Sequence, residues 1–352
     1  MSSPHEPMRI SDDDLRSPQV EEYLAIQQNL RREMGEIEQT PLFFRILYSS
    51  WFYLALASGL GAFLGWLCLE PFFEDNDQRL NLADFMLFPT VAAGIGLFLG
   101  AAEGIMCRNA GRAVVSAAVG LGVGFAGGLV GYVAASIFYG ISQVLVAEIT
   151  GDPAGRLRGL GLFAQMISRS LAWAIASIPA GLGQGIAQRD KKVILNGLLG
   201  GILGGLLGGL LFDPIYFAIT GEGGQGNLSR CVGFTLIGLL VGLFVGLVEG
   251  WTKTAWLLMR QGPLAGKQFI LFRDTTVLGS SPKSEVYLFK DAAIEPRHAV
   301  IYNRGGRFEI EDCQTPEGTY VNGIPIRKHW LQSGDQIVMG KTVLEFALKE
   351  AR

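Results

Sequence analysis

The stretch YNRGGRFEIEDCQTPEGTYVNGIPI, Tyr302 to Ile326, decides the fold of the C-terminal quarter of the chain. Its segments RFEIED and TYVNGIPI alternate apolar and polar residues, which is the pattern of strands buried on one face. The segments YNRGGR and VNGI supply turns, because Asn and Gly tolerate the positive φ angles that tight hairpins need. This stretch therefore predicts short strands joined by hairpin turns.

The same alternation recurs near the end of the chain in TVLEFAL, Thr342 to Leu348. From about residue 262 onward, short apolar segments are separated by turn residues. Such a pattern over roughly a hundred residues is typical of an all-β sandwich of single-domain size. We therefore assign residues 262–350 to one β-sandwich domain.

Five motifs in this tail occur in the order that one known family shows. They are Leu278-Gly279, Glu285-Val286-Tyr287-Leu288, Ile294 with Arg297-His298-Ala299, Gly318-Thr319-Tyr320-Val321-Asn322-Gly323, and Leu331 with Gly334-Asp335, Ile337 and Gly340. On these motifs the tail resembles a forkhead-associated (FHA) domain. The resemblance implies an eleven-stranded β-sandwich whose loops at one end bind a phosphothreonine peptide.

The positions that hold the phosphate in that family carry different residues here. The family uses an Arg after the first glycine, a Ser three residues before the His, and an Asn before the Gly-Thr pair. This chain has Ser280, Glu295 and Glu317 at these positions. Matching positions that shape the loops are retained, namely Gly279, His298, Gly318 and Asn322. The resemblance therefore implies an FHA scaffold with a degenerate phosphopeptide-binding site.

Charge argues the same way, because a phosphate carries nearly two negative charges and is favoured by Arg side chains. Glu295 and Glu317, two carboxylates at the rim of these loops, would repel a phosphate. The alternative is that Lys283 and Arg297 provide some affinity for an anion. We expect these loops to bind an unmodified protein partner, or to dock on the chain's own cytosolic face. The candidate partner-binding residues are Ser280, Ser281, Lys283, Glu295, Arg297, Thr315, Glu317 and Asn322.

The chain before residue 262 has the composition of a membrane protein. Hydrophobic residues make up 49% of the whole chain and charged residues 17%, and the charges crowd into residues 1–45 and 262–352. Six stretches have the ~20 mainly apolar residues that a bilayer-spanning helix needs. They are Ser50–Cys68, Phe85–Met106, Val114–Ile137, Phe163–Ile186, Val193–Phe212 and Cys231–Trp251. The sequence thus predicts a polytopic α-helical membrane domain over residues 46–260, after a cytoplasmic N-terminal segment over residues 1–45.

Loop charges predict the orientation, because cytoplasmic loops retain Lys and Arg. Basic residues lie before the first stretch, between the second and third, between the fourth and fifth, and after the sixth, whereas the other loops are acidic. Exceptions to this pattern are Arg79, Arg156, Arg158, Arg169 and Arg230. The pattern predicts a multi-pass protein of a bacterial inner (plasma) membrane with both termini in the cytoplasm.

A repeat runs through the apolar stretches. GAAEGIMCRN at residues 100–109 recurs as GLGQGIAQRD at residues 181–190 and, more weakly, as GLVEGWTKT at residues 246–254. The membrane part is therefore expected to contain three copies of a two-helix hairpin.

Glu103, Gln184 and Glu249 occupy the same place in the three copies. One interpretation is a structural polar network near the cytoplasmic surface, with Glu103 paired to Arg108 or Arg112 and Glu249 to Lys253. The other is an ion or proton site, because ionisable residues inside membrane spans are often functional.

Glycines recur at four-residue spacing in the third and fifth stretches. This glycine zipper places small residues on nearly one helical face, where helix backbones approach closely. The members are Gly120, Gly124 and Gly128, then Gly200, Gly204 and Gly208. We expect these two helices to be central and tightly packed; a face that borders a pore is the alternative.

The remaining segments carry weaker signals. Residues 1–18 are rich in Ser, Pro and Asp and are expected to be disordered, and residues 18–41 have the spacing of a modest amphipathic helix. Four cysteines stand alone without the paired spacing of a zinc or redox site, so we interpret them as packing residues. They are Cys68, Cys107, Cys231 and Cys313.

These features favour a binding protein. A net charge of −3 argues against a nucleic-acid partner. The sequence shows no nucleophile with its base, no Gly-Lys-Ser phosphate loop and no metal cluster, so we predict no enzyme activity and no cofactor. The leading hypothesis is a membrane-anchored scaffold or signalling adaptor, and the alternative is a channel or small transporter regulated by its tail. Expected partners are a cytoplasmic protein, phosphorylated or not, the lipid bilayer and, as an option left open, further copies of the chain.

Overall fold

A computed structural model of the chain describes residues 41–73, 82–151, 160–220 and 226–349. Helices fill the described chain up to residue 252, and strands follow. The helices are α1 (Leu42–Leu47), α2 (Ser50–Leu69), α3 (Leu82–Met106), α4 (Ala110–Thr150), α5 (Leu160–Gln188), α6 (Lys191–Thr220) and α7 (Asn227–Thr252). The amphipathic helix expected before residue 41, and the acidic and basic loop residues at 74–81, 152–159 and 221–225, lie outside the described residues.

Each of the six apolar stretches lies within one long helix, α2 to α7. Five of these helices are long and apolar enough to cross a membrane; α5 is not among them. The third stretch continues without a break to Thr150, which gives α4 a length of 41 residues. The number of long helices, six, therefore agrees with the number of apolar stretches in the sequence. By length and composition, five of these helices qualify as membrane spans.

The helices form a closed ring, because each contacts the next along the chain and α2 contacts α7. Helices α3, α5 and α7, the second members of the three hairpins, also contact one another across the ring. The prediction that the third and fifth stretches would be central is therefore wrong, since α4 and α6 lie on the outside. Glycines did not distinguish these positions because both sides of a close helix contact need small residues.

The glycine faces are nonetheless packing surfaces. A Cβ atom on Gly204 would lie 2.5 Å from the Cα atom of Val241 in α7, and one on Gly120 would overlap with the carbonyl of Gly96 in α3. Neighbouring backbones thus cover these faces, as static packing requires.

We predict that Gly120→Ala destabilises the full chain and that Gly122→Ala does not. A methyl group at position 120 would clash with α3, and overpacking typically costs about 1–3 kcal/mol. The matched control, Gly122, is exposed on the same helix and has no atom within 4 Å of an added Cβ. Thermal unfolding in one detergent measures both variants, and equal midpoints would contradict the packing of α3 against α4.

The repeat is visible in the turns between helices. Arg108 and Arg189 both have positive φ angles, 52° and 53°. The following residues, Asn109 and Asp190, then cap the next helix by accepting backbone N–H groups through their side chains. In two copies of the repeat, one helix therefore ends at a residue with a positive φ angle and the next helix begins with a side-chain cap.

Two of the arginines that break the loop-charge pattern have acidic partners at the opposite end of the helices. Arg169 lies 2.9 Å from Asp213, and Arg230 lies 2.6 Å from Glu70. Their positive charge is thus neutralised locally, so the basic excess remains at the end that carries the strands.

The strands form a two-layer sandwich. They are β1 (Ala255–Gln261), β2 (Gln268–Ile270), β3 (Thr275–Gly279), β4 (Val286–Tyr287), β5 (Ala299–Arg304), β6 (Arg307–Asp312), β7 (Thr319–Val321), β8 (Ile324–Ile326), β9 (Lys328–Trp330), β10 (Gln336–Met339) and β11 (Thr342–Leu348). One sheet has the order β2-β1-β11-β10-β7-β8 and the other β4-β3-β5-β6-β9. The core between them contains Leu257, Leu278, Ile310, Ile337 and Phe346.

The sandwich begins earlier than the sequence boundary at residue 262. Residues 255–261 form β1, which lies between β2 and β11 and pairs with both. Its inward residues Ala255, Leu257 and Met259 are fully buried in the core. The apolar composition of this strand continues that of the preceding helix, so composition alone does not mark the start of the sandwich.

The cysteines do not share one environment. Cys107 is buried and packs with the sandwich core, whereas Cys68 is exposed. Burial raises the pKa of the Cys107 thiol to about 12, and its Sγ lies 3.3 Å from a Glu103 oxygen. A packing role therefore fits Cys107 but not Cys68.

Candidate partner-binding site

His298 holds together two loops at one end of the sandwich. Its imidazole is fully buried; Nδ1 accepts the N–H of Glu295 at 3.2 Å, and Nε2 donates to the carbonyl of Gly318 at 3.1 Å. One neutral tautomer satisfies both bonds. His298 and Gly318 therefore shape the loops, which is the role that the sequence predicted for them.

The loop between β6 and β7 is fixed by Asp312. Its carboxylate accepts hydrogen bonds from the hydroxyls of Thr315 and Thr319 at 2.9 and 2.7 Å, and from the Thr315 N–H at 3.1 Å. Burial alone would raise the pKa of Asp312, but these bonds outweigh it and lower the pKa. Thr315, a candidate for partner contact, thus bonds within its own loop.

Asn322 is likewise committed to the sandwich. It adopts a φ angle of 52° in the turn between β7 and β8. Its amide donates to Asp335 at 2.8 Å, and its side-chain oxygen accepts the N–H of Gln336 at 2.9 Å. The Asn322 side chain therefore shapes the turn. A partner can contact Asn322 only on its solvent-exposed side.

The three positions that differ from the family pattern lie at this same end. The N–H of Ser280 donates to the carbonyl of Glu295 at 2.9 Å, so their loops are adjacent. Glu295 and Glu317 are exposed, and Glu317 directly precedes the Gly318 that His298 binds. The structure therefore brings a hydroxyl and two carboxylates to one rim.

Two cations lie on the same loops. Lys283 and Arg297 are both exposed. Arg297 lies beside Cys313, whose thiol pKa is raised by burial and lowered again in part by this guanidinium. The hydroxyl of Ser281 accepts the N–H of Lys283 at 3.2 Å. The rim thus has two positive and two negative side chains, without the guanidinium next to Gly279 that the family uses.

The loop between β3 and β4 is docked on the helices. The amide of Asn109 donates to the carbonyl of Pro282 at 2.6 Å, and Arg112 reaches the carbonyl of Glu285 at 3.4 Å. Both residues open α4. One side of the predicted rim is therefore covered by the chain itself, while the loops around Glu295 and Glu317 remain exposed.

An ion pair between a buried lysine and a half-buried glutamate fastens the sandwich to the helices. Nζ of Lys267, whose residue is 1% exposed, lies 3.3 Å from Oε2 of Glu103 and 4.9 Å from the centre of the Tyr53 ring. The Tyr53 hydroxyl donates to the same oxygen at 2.7 Å. Burial alone would lower the pKa of Lys267, but the Glu103 carboxylate outweighs it and raises the pKa.

This pair corrects the sequence interpretation of the repeat acids. Within the part of the chain that the structure describes, Glu103 forms its ion pair with Lys267 and forms none with Arg108 or Arg112. Lys253 donates to Gln268 at 2.8 Å and lies over the Trp256 ring; within the described ranges it forms no ion pair with Glu249.

Comparison with known proteins matches the C-terminal part of the chain. A family model of the FHA domain matches residues 276–340. An oxoglutarate dehydrogenase inhibitor from Corynebacterium jeikeium is 39% identical over 101 residues, which are 29% of this chain and 67% of that protein. The glycogen accumulation regulator GarA from Mycolicibacterium smegmatis is 38% identical over 100 residues, which are 28% of this chain and 63% of that protein. The chain thus spans about two thirds of the length of these relatives.

A solved FHA domain, studied for phosphothreonine-dependent interactions, covers 28% of this chain and all of its own length, with 22% identity and a TM-score of 0.26. The residues 276–340 that the family model matches lie in the sandwich, whose described residues form eleven strands, the number that the FHA resemblance implied. Through this C-terminal domain, the chain belongs to the FHA domain family.

Proposed function

We propose that the chain is a membrane-anchored adaptor that recruits an unmodified protein partner to the cytoplasmic face of the inner membrane. The observation that carries the proposal is the rim of the sandwich, where His298 keeps the loops in shape while exposed carboxylates stand at two positions that hold phosphate in the family. Loops that are held in shape and carry carboxylates at the phosphate positions suit a partner that places basic groups next to Glu295 and Glu317.

Membrane anchoring is supported by the outer surface of the helices. Large apolar side chains are exposed there, among them Leu64, Phe125, Val130 and Ile137. An exposed apolar surface of this kind is stable in lipid and costly in water. The basic turns between helices lie at the end that carries the sandwich, and this charge pattern supports a cytoplasmic location for the sandwich.

Regulation, rather than catalysis, is supported by the relatives. One is named as an inhibitor and another as a regulator. For this chain we infer a regulatory role that depends on which protein the rim binds.

Capture of partners by the full chain from its own cell membranes tests this function. We expect the chain to stay in the membrane pellet after an alkaline wash, and to capture the same proteins before and after phosphatase treatment. Reversing the rim charge with Glu295→Lys and Glu317→Lys should reduce capture, because the electrostatic complement is lost.

The matched control is Asp274→Lys, which reverses an exposed carboxylate in the loop between β2 and β3. Its capture should equal that of the unmodified chain. Release of the chain by the wash would exclude anchoring, and partners that disappear after phosphatase treatment would show that the rim reads phosphate.

A further inference from the structure

A cavity of about 420 Å³ lies where the ends of the helices meet the sandwich. Its wall contains residues from the first turns of α2, α4 and α6, from the last turns of α3, α5 and α7, and from the sandwich. Small-molecule sites commonly have volumes of ~300–1,000 Å³, so the cavity has the size of a ligand site.

The charged side chains of the wall favour an anion over a cation. Five cations face four carboxylates, namely Arg45, Arg112, Lys253, Lys267 and Arg273 against Glu103, Asp190, Glu249 and Glu285. Two of the carboxylates are neutralised by direct ion pairs. Glu103 lies 3.3 Å from Lys267, and Glu285 lies 2.8 Å from Arg273.

The other two carboxylates also have neighbours that compensate their charge. Asp190 accepts backbone N–H groups at the start of α6, and Glu249 is half-buried one helical turn before Lys253. Arg45, by contrast, is exposed, and among the described residues its side chain forms no hydrogen bond or ion pair. The wall therefore has a guanidinium group available to an anion.

Helix α2 begins close to Arg45 without a side-chain cap. The hydroxyl of Ser49, the residue before the helix, donates to the carbonyl of Ile46 instead. In the described part of the chain, the backbone N–H groups of Ser50 and Trp51 donate to no acceptor, and both residues line the cavity. Free N–H groups at the positive end of a helix are suited to bind a phosphate.

A buried amide is a second, independent indication of a ligand. Gln184 is only 6% exposed and lines the cavity. Its side chain forms no hydrogen bond within the residues that the structure describes. Buried polar groups are normally hydrogen-bonded. Hydroxyl groups of a ligand would satisfy the amide, because a hydroxyl both donates and accepts.

The exposed residues of the wall indicate that the anion belongs to a lipid. Arg45, Trp51 and Trp251 line the cavity and are exposed. Tryptophan is typical of the membrane interface, and basic pockets at the cytoplasmic ends of membrane helices bind anionic head groups. Helix α1, which carries Arg45, also exposes large apolar side chains, among them Phe43 and Phe44. These side chains suit contact with acyl chains.

We propose that the cavity binds the glycerol phosphate headgroup of an anionic phospholipid. The phosphate accepts hydrogen bonds from the Arg45 guanidinium and from the start of α2, the headgroup hydroxyls bond to the Gln184 amide, and the acyl chains lie along α1. This inference rests on the membrane anchoring proposed above. Because the helices and the sandwich both line the cavity, bound lipid also stabilises their contact.

Titration of the full chain in detergent with short-chain phospholipids, followed by tryptophan fluorescence, tests the proposal. We expect dihexanoyl phosphatidylglycerol to bind at least tenfold more tightly than dihexanoyl phosphatidylcholine, whose headgroup has no net charge. Arg45→Gln should weaken binding of phosphatidylglycerol at least tenfold, because charge-assisted hydrogen bonds are lost. The matched control Arg189→Gln removes an exposed arginine that lies in the turn between α5 and α6, outside the cavity wall, and should leave the affinity unchanged.

A second variant tests the headgroup hydroxyls separately from the charge. Dihexanoyl phosphatidylmethanol has the same charge as phosphatidylglycerol and no hydroxyl group. The unmodified chain should bind phosphatidylglycerol about fivefold more tightly than phosphatidylmethanol, which corresponds to one neutral hydrogen bond. Gln184→Leu should abolish this difference and leave the affinity for phosphatidylmethanol unchanged.

Equal binding of phosphatidylglycerol and phosphatidylcholine, or equal binding by Arg45→Gln and Arg189→Gln, would overturn the proposal. Soluble glycerol phosphate and inorganic phosphate are titrated in the same assay. If either binds as tightly as the short-chain lipid, the lipid source is wrong and the site takes a soluble phosphate. Because the titration is done in detergent, its outcome does not depend on anchoring, which the alkaline wash tests by itself.

Discussion

Replacing Lys267 by Met should lower the free energy of unfolding of the full chain by about 3–5 kcal/mol. The substitution keeps the length of the side chain up to Cε, with a sulfur atom in place of one methylene group, and removes the ammonium group. Glu103, whose side chain is 21% exposed, would then keep its charge at the contact between helices and sandwich, with Tyr53 and Cys107 as its donors among the described residues. Removal of one partner of a buried ion pair costs this much because the other charge loses its compensation.

Thermal or denaturant unfolding of the full chain in detergent measures this effect. Lys283→Met is the matched control, since Lys283 is an exposed lysine of the same domain and should change the free energy by less than ~0.5 kcal/mol. The double variant Lys267→Met with Glu103→Leu should recover most of the loss, because no unpaired charge remains. Equal losses for Lys267→Met and Lys283→Met would contradict the buried pair.

The pH dependence of this stability has a definite sign. The pKa of Lys267 is raised above its usual value of 10.5 by the Glu103 carboxylate. A lysine whose pKa is higher in the folded state stabilises the fold at all pH values below the unfolded pKa, and loses this contribution as pH rises through the folded pKa. The contribution of Lys267 should therefore be constant near neutral pH and fall only in strongly alkaline solution.

Restoring the family pattern at three positions should create a preference for phosphothreonine of tenfold or more. The changes are Ser280→Arg, Glu295→Ser and Glu317→Asn. They supply a guanidinium fork and remove two carboxylates from a rim that His298 already holds in shape. Each charge-assisted hydrogen bond contributes about 1.5–3 kcal/mol, and 1.4 kcal/mol is a tenfold change in affinity.

The control for this gain is the same triple change with Gln in place of Arg at position 280. It removes the repulsion without adding the fork, so its preference for phosphate should be smaller. If the Arg variant folds and still shows no preference, the loops around Ser280 and Glu295 do not form a phosphate site even with the family's residues.

Local patterns were sufficient to predict much of the fold. Alternation in RFEIED and TVLEFAL located β6 and β11, and apolar length located all six long helices. Strand β1 was missed because AWLLMRQ follows an apolar helix directly, and its alternation becomes visible only when the partners β2 and β11 are known.

The ion pair between Lys267 and Glu103 could not be predicted, because the two residues are 164 positions apart. In the sequence, Arg108 and Arg112 are cations close to Glu103. No local pattern indicates that a lysine of the sandwich binds Glu103 instead. The same limit applies to Thr315, whose bond to Asp312 depends on how the loop folds.

We propose that this FHA domain has kept its loop scaffold and binds its partner without depending on phosphate. Calorimetric titration of the unmodified full chain with threonine peptides, each in phosphorylated and unphosphorylated form, is the direct test. We predict equal affinities for the two forms of each peptide, because Ser280 provides no guanidinium and Glu295 and Glu317 oppose the added charge. Phosphate-dependent binding that is lost on Lys283→Ala or Arg297→Ala would contradict the claim and show that these cations replace the missing fork.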